Sequence, residues 1–180
     1  RLEATWPEGP LHARAHAASV RQVLANLLAN ALEALPAEGG LVEVRLREVD
    51  AGEVAPTPRL VPGWIPSARR YAHLEVRDTG CGVAPGDLGK VFDPFYTTKF
   101  TGRGLGLPVV LGIVRAHGGA LAMESAPARG SAFSVWLPLS EAPAPVAAPA
   151  AAPHPRLRGL ALVVDDEPLI RRATSRLLAE

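Results

Sequence analysis

"DTGCGV", residues 78–83, comes immediately after "YAHLEVR" (71–77), whose alternation reads as a strand. An acidic residue entering two glycines at a strand's end can be an ordinary tight turn, because turns favour these residues. It can equally be the floor of a nucleotide pocket. There a carboxylate accepts a hydrogen bond from the base, and glycines let the backbone come close. The rest of the chain decides between the two.

The bulk composition narrows the field. The chain has 180 residues, 48% of them hydrophobic and 21% charged, which fits a globular protein with one well-cored domain and something extra. Nineteen basic residues face 18 acidic ones, a net charge of +1, so there is no electrostatic case for a nucleic-acid partner. The single cysteine, Cys81, excludes a disulfide framework and fits a reducing, cytoplasmic setting. No stretch approaches the roughly 20 apolar residues of a spanning helix, so no membrane contact is expected from this segment. The chain opens at Arg1 with neither a signal peptide nor a methionine, which reads as a piece of a longer protein whose upstream part can carry a membrane anchor.

The clearest boundary is "SEAPAPVAAPAAAPHP", residues 140–155, in which 12 of 16 residues are Ala or Pro. Such a run predicts a semi-rigid, extended linker. It divides a first domain, 1–139, from a short tail, 156–180. In the first domain Val20, Val23, Leu24, Leu27, Leu28, Ala31 and Leu35 recur at helical spacing and make one apolar stripe. "LVEVRLREV" (41–49) alternates as a strand, and 50–70, with four prolines and two glycines around Trp64, reads as a long surface excursion. "PGDLGKVF" (85–92) predicts a short helix opened by Pro85, and "PVVLGIVRAHGG" (108–119) a helix ended by its glycine pair. "ALAMES" (120–125) and "SAFSVWLP" (131–138) predict a hairpin. The order implies an α+β fold, a mixed and mostly antiparallel sheet with helices on one face.

On the first helix Asn26 and Asn30 stand four apart and project from one side, at the edge of the apolar stripe. Asparagine is a poor helix-interior residue, because its side chain competes for backbone hydrogen bonds. Two solvent-facing amides would account for the pair. A neutral oxygen ligand for Mg2+, which keeps waters and takes phosphates, would account for it too. "GRGLGLP" (102–108) sets alternate glycines before a predicted helix, either a flexible loop or a row of amides at a helix start suited to phosphate. Lys99 and Arg103 bracket its first glycine.

Together these pieces resemble the ATP-binding catalytic domain of sensor histidine kinases, in the Bergerat-fold superfamily shared with gyrase B, Hsp90 and MutL. "QVLANLLANALEA" (22–34) resembles its N box, "DTGCGV" its G1 box, "VFDPFYTTK" (91–99) its F box, "GRGLGLP" its G2 box and "GSAFSVWLP" (130–138) its last glycine motif. Five motifs in order cover 11–139, and the short step from F to G2 box resembles the subgroup related to nitrogen-regulation kinases. The resemblance implies a two-layer α/β sandwich that binds ATP and Mg2+. Asp78 would accept from the adenine amine, with Gly80 and Gly82 shaping the turn. Asn30 would ligate Mg2+, and Asn26 would support the phosphate or metal shell. Lys99 and Arg103 would face the phosphates, and Ser131 would lie near the base. Gly102, Gly104 and Gly106, with Leu105 and Leu107 beside them, would let the lid approach the phosphates. Glu33 could approach the phosphates or simply be solvated. His16 stands where the family often has an acidic helix cap, and Pro108 where a small residue is usual.

"LALVVDDEPLIRRATSRLLAE" (160–180) resembles the first strand–helix unit of a response-regulator receiver, with Asp165 and Asp166 as part of its Mg2+ site. That combination implies a hybrid kinase. A phosphoacceptor histidine, commonly in a His-Glu context followed by proline, is not found at His12, His16, His73, His117 or His154. The acceptor is therefore expected on a dimerising helical hairpin upstream, with the receiver in cis or a separate regulator as the next partner. Gyrase- and MutL-like hydrolases place a glutamate base where this chain has Asn26, whose amide cannot serve as a base. A nucleotide-binding scaffold without turnover is the other alternative.

Overall fold

Among the described residues, two helices lie on one face of a five-stranded mixed sheet. The computed structural model describes residues 1–54, 64–97 and 104–140. In chain order the elements are β1 (Leu2–Thr5), α1 (Ala17–Ala34), β2 (Val42–Asp50), β3 (Arg70–Asp78), α2 (Gly106–Ala116), β4 (Ala120–Ser125) and β5 (Ser131–Pro138). The sheet runs β1-β2-β3-β5-β4. Only the β1–β2 pair is parallel. The α+β expectation holds, with helices on one face.

The apolar stripe of α1 turns Val23, Leu27 and Ala31 inward, all at most 1% exposed. They meet Val42 and Val44 of β2, Val76 of β3, Val110 and Val114 of α2, and Phe133 and Val135 of β5 in one core. Each buried Val or Leu contributes about 1.5–3 kcal/mol. The helix stops where Pro36 follows Leu35, which is pushed to extended backbone at φ −68°, ψ 145°. At the other end of α2, Gly118 takes φ +66°. Its N–H donates to the Arg115 carbonyl and that of Gly119 to Val114, closing the helix in a Schellman turn.

His16 caps α1 without using its side chain. Its backbone N–H donates instead to His117 Nε2 at 3.2 Å, while His117 Nδ1 lies 2.8 Å from the Ile113 carbonyl. That assigns the neutral tautomer with the proton on Nδ1. The end of α2 is thereby tied to the start of α1.

Several elements differ from the sequence reading. Residues 85–89 form turns followed by a single 3-10 turn, Lys90–Phe92, in place of the expected helix. Gly86 and Gly89 weaken helix there, and Lys90 Nζ bonds Asp87 Oδ1 at 3.2 Å, a local link that needs no further turns. Helix α2 starts two residues early, at Gly106. Strand β1 was not foreseen. The second face of the sheet also carries an unexpected apolar cluster, in which Val49, Val54, Tyr71, Ala120, Ala122 and Trp136 are buried. Trp64 from the excursion packs edge-on to Tyr71 at 5.6 Å and donates Nε1–H to the Gly118 carbonyl. The Tyr71 hydroxyl accepts from the Ser67 and Ala68 amides, fastening the returning chain. Residues 55–63 of the excursion lie outside the described residues.

Candidate nucleotide-binding site

Between α1, the start of α2 and the ends of β3 and β5 lies a cavity of about 430 Å³. Its size is that of a small-molecule site. Asp78, the last residue of β3 and only 3% exposed, stands on its floor. Its Oδ1 accepts from the Gly80 amide at 2.8 Å, which fixes the carboxylate. The turn is held from two sides. The Ala34 carbonyl, at the end of α1, accepts from Cys81 N–H at 3.0 Å, and the Cys81 carbonyl accepts from Ala128 N–H at 2.7 Å. Gly82 has φ +66° and its Cα abuts the Ala126 carbonyl, so no other residue fits there. The opening stretch is a close-packed pocket floor.

Asn26 and Asn30 both face the cavity. Asn26 Nδ2 donates to the Gly106 carbonyl at 3.2 Å, and its Oδ1 accepts from Gln22 Nε2 at 3.3 Å. Asn26 therefore fastens the first turn of α2 to α1. Asn30 differs, since its Nδ2 is buried with no hydrogen-bond partner. A buried amide left unpaired costs about 1–3 kcal/mol. A cradle for a polar ligand is the physical reason to keep one.

Opposite the asparagines, Gly104, Leu105, Gly106 and Leu107 line the cavity. The first amides of a helix have no partners within it and carry its positive end, which suits phosphate. The Gly104 carbonyl accepts from Phe95 N–H at 3.0 Å, so the F-box and G2-box segments are pinned together. Asp87 and Tyr96 stand on the wall beside them. Hydrogen bonds from Lys90 and then Tyr96 hold the Asp87 carboxyl below its usual value. Ser131, 7% exposed, pairs across the strands with Asp78 and lines the cavity beside it. Glu33 also reaches the wall.

The structure thus gathers Asn26, Asn30, Asp78, Gly82, Gly104, Leu105, Gly106, Leu107 and Ser131 about one cavity, with Gly80 bracing Asp78 from behind. Lys99, Gly102, Arg103, Asp165 and Asp166 lie outside the described residues. The sequence reading missed Met123 and Phe133, which offer apolar walls for a base, and Ser125, which bonds the turn. The hairpin was read from the sequence, but nothing in it marked Met123 and Phe133 as pocket residues.

Fold and site together define an ATPase-type nucleotide-binding domain. Residues 15–141 match the histidine kinase-, DNA gyrase B- and HSP90-like ATPase family, and the chain belongs to it. Among curated proteins, the sensor kinase CckA of Brucella abortus is 36% identical over 96% of this chain and 18% of its own length. Among solved structures, the mycobacterial sensor histidine kinase MprB superposes with a TM-score of 0.59 at 30% identity, covering 77% of this chain and 80% of that one. Full-length ShkA in complex with AMPPNP gives a TM-score of 0.59 at 28% identity, over 81% of this chain and 27% of that one. The chain spans about a fifth of the length of CckA, 18%. It is an ATP-binding catalytic domain of the histidine-kinase type.

Proposed function

We propose that the domain binds ATP with Mg2+ and donates the γ-phosphoryl group to a histidine on a dimerising hairpin elsewhere in a cytoplasmic kinase. The bond from the γ-phosphorus to its bridging oxygen breaks as the phosphorus–nitrogen bond to the imidazole forms, and ADP leaves. The observation that carries this is one cavity lined by Asp78, by the first residues of α2 and by Asn30, whose buried NH2 has no partner and can donate to a phosphate oxygen. Asp78 holds the adenine amine, and Met123 and Phe133, neighbours across β4 and β5, offer one apolar face to the base. The amides opening α2 hold phosphate, with Lys99 and Arg103 adding positive charge.

Mg2+ would be held by the Asn30 side-chain oxygen, which lines the cavity, together with the phosphates. Among the described residues no group of three or more His, Cys, Asp or Glu could hold a metal alone. An ion that prefers phosphates and waters needs only one such amide. It would neutralise charge on the transferring group. Asn26 is committed to holding Gly106 and, being an amide, offers no base for hydrolysis. Positioning and charge neutralisation are what phosphoryl transfer asks of a protein, so the acceptor can reside on another segment.

The remaining assignments extend this reading. Residues 1–139 form the catalytic domain and 140–155 the linker. Residues 156–180 open a receiver in which Asp165 and Asp166 belong to a second Mg2+ site. The similarity to CckA covers 96% of the chain and so runs into this tail. The test is a calorimetric titration of the chain with ATP, with and without Mg2+. Mg2+ should strengthen binding in wild type and much less in Asn30→Ala. Identical Mg2+ dependence in the two would remove Asn30 from the metal shell.

A further inference from the structure

One hydroxyl behind the pocket joins three groups. Ser125, the last residue of β4, accepts from the Val83 amide at 2.8 Å and donates to the Gly130 carbonyl at 2.9 Å. Its oxygen also lies 3.0 Å from the Ser131 hydroxyl. A serine hydroxyl has one hydrogen and two lone pairs. The Ser125 hydrogen is spent on Gly130, so the contact with Ser131 can form only if Ser131 donates. Ser131 then has no hydrogen left, and its oxygen offers the cavity lone pairs alone. Next to it across the strands stands Asp78, also an acceptor. The floor of the pocket therefore presents two acceptors side by side.

We infer that Ser125 is a positioning residue for base selection, because it fixes the direction of the Ser131 hydrogen and so makes the pocket floor accept but not donate. The inference rests on the nucleotide reading above. Such a floor suits a purine with an amino group at position 6, directly or through a water. It penalises one with an oxo group there, since a lone pair would meet a lone pair. Without the Ser125 oxygen, the Ser131 hydroxyl is free to turn and donate to an oxo group. Loss of Ser125 should therefore lower affinity for the amino purine and spare or improve that for the oxo purine.

The test compares ADP with IDP, which carry the same ribose and phosphates, by calorimetry on the full chain. Melting and circular dichroism confirm the fold of each variant. Ser125→Ala should narrow the preference for ADP by about three- to tenfold, the worth of a neutral hydrogen bond. Ser125→Thr, which keeps the hydroxyl in a strand, should restore it. Ser125→Cys serves in place of Ser125→Ala if the latter does not fold, with the same narrowing expected. A merely structural role would weaken ADP and IDP by the same factor, and that result, or no change, overturns the inference while leaving the nucleotide site intact. Failure of wild type to bind either diphosphate overturns both.

Discussion

Replacing Asp78 by Asn separates recognition of the base from support of the fold. The Gly80 amide donates to Asp78 Oδ1 at 2.8 Å in a buried setting. In Asp78→Asn that amide still needs an acceptor, so the new side chain turns its oxygen toward Gly80 and its NH2 replaces the other carboxylate oxygen. A donor then stands where the account requires an acceptor for the adenine amine. A hydrogen bond to a charged group is worth about 1.5–3 kcal/mol, so ATP affinity should fall about ten- to a hundredfold. Stability should change little, because the Gly80 bond survives. In Asp78→Ala the Gly80 N–H is left buried and unpaired, which adds a folding cost of about 1–3 kcal/mol. Calorimetric titration with ATP beside thermal melts reads both quantities. A folded Asp78→Asn protein with wild-type ATP affinity would refute the role of this residue.

Two further perturbations address the far face of the sheet. His73 is stacked on Trp136 at 4.8 Å with neither ring nitrogen bonded, and burial, then Arg47, lowers its pKa from 6.5 to about 4. The unfolded chain binds this proton first, so its contribution is fully present above pH 6.5 and is lost as pH falls toward about 4. Loss of up to about 3 kcal/mol is expected across that window, and His73→Phe should remove this part of the acid sensitivity in pH-dependent melts. Equal acid sensitivity in wild type and His73→Phe would contradict it. Trp64→Ala deletes the bond to Gly118 and the contact with Tyr71, and should cost about 2–3 kcal/mol in denaturant unfolding. ATP affinity should be unchanged, since the cavity is on the opposite face; a large affinity loss would show the two faces to be coupled.

Much of this was legible in the chain because its signals are local and periodic. The 3.6-residue stripe from Val20 to Leu35 placed α1, and the hairpin of β4 and β5 was read to the residue. The site was legible where a motif carries its own reason, as with Asp78 before two glycines or paired asparagines on one helix edge. What stayed hidden depends on pairing across the chain. β1 is four residues, mostly exposed, and becomes a strand only by lying parallel to β2. The cluster under Trp64 draws one or two residues from each of β2, β3, β4 and β5, whose alternation marks two faces without saying that both are covered. The Ser125–Ser131 contact exists only because the hairpin register sets the two residues opposite each other.

The division of labour between this domain and a separate acceptor is tested most directly with γ-labelled ATP and acid–base analysis of the products. The isolated chain should bind nucleotide, label itself negligibly and release phosphate only slowly. Mixed with the helical hairpin of its parent kinase, it should place an acid-labile, base-stable label on that hairpin's histidine, in low yield because untethered partners lack the effective concentration of a linker. Stable self-labelling, or brisk phosphate release by the isolated chain, would contradict the account and favour a hydrolase.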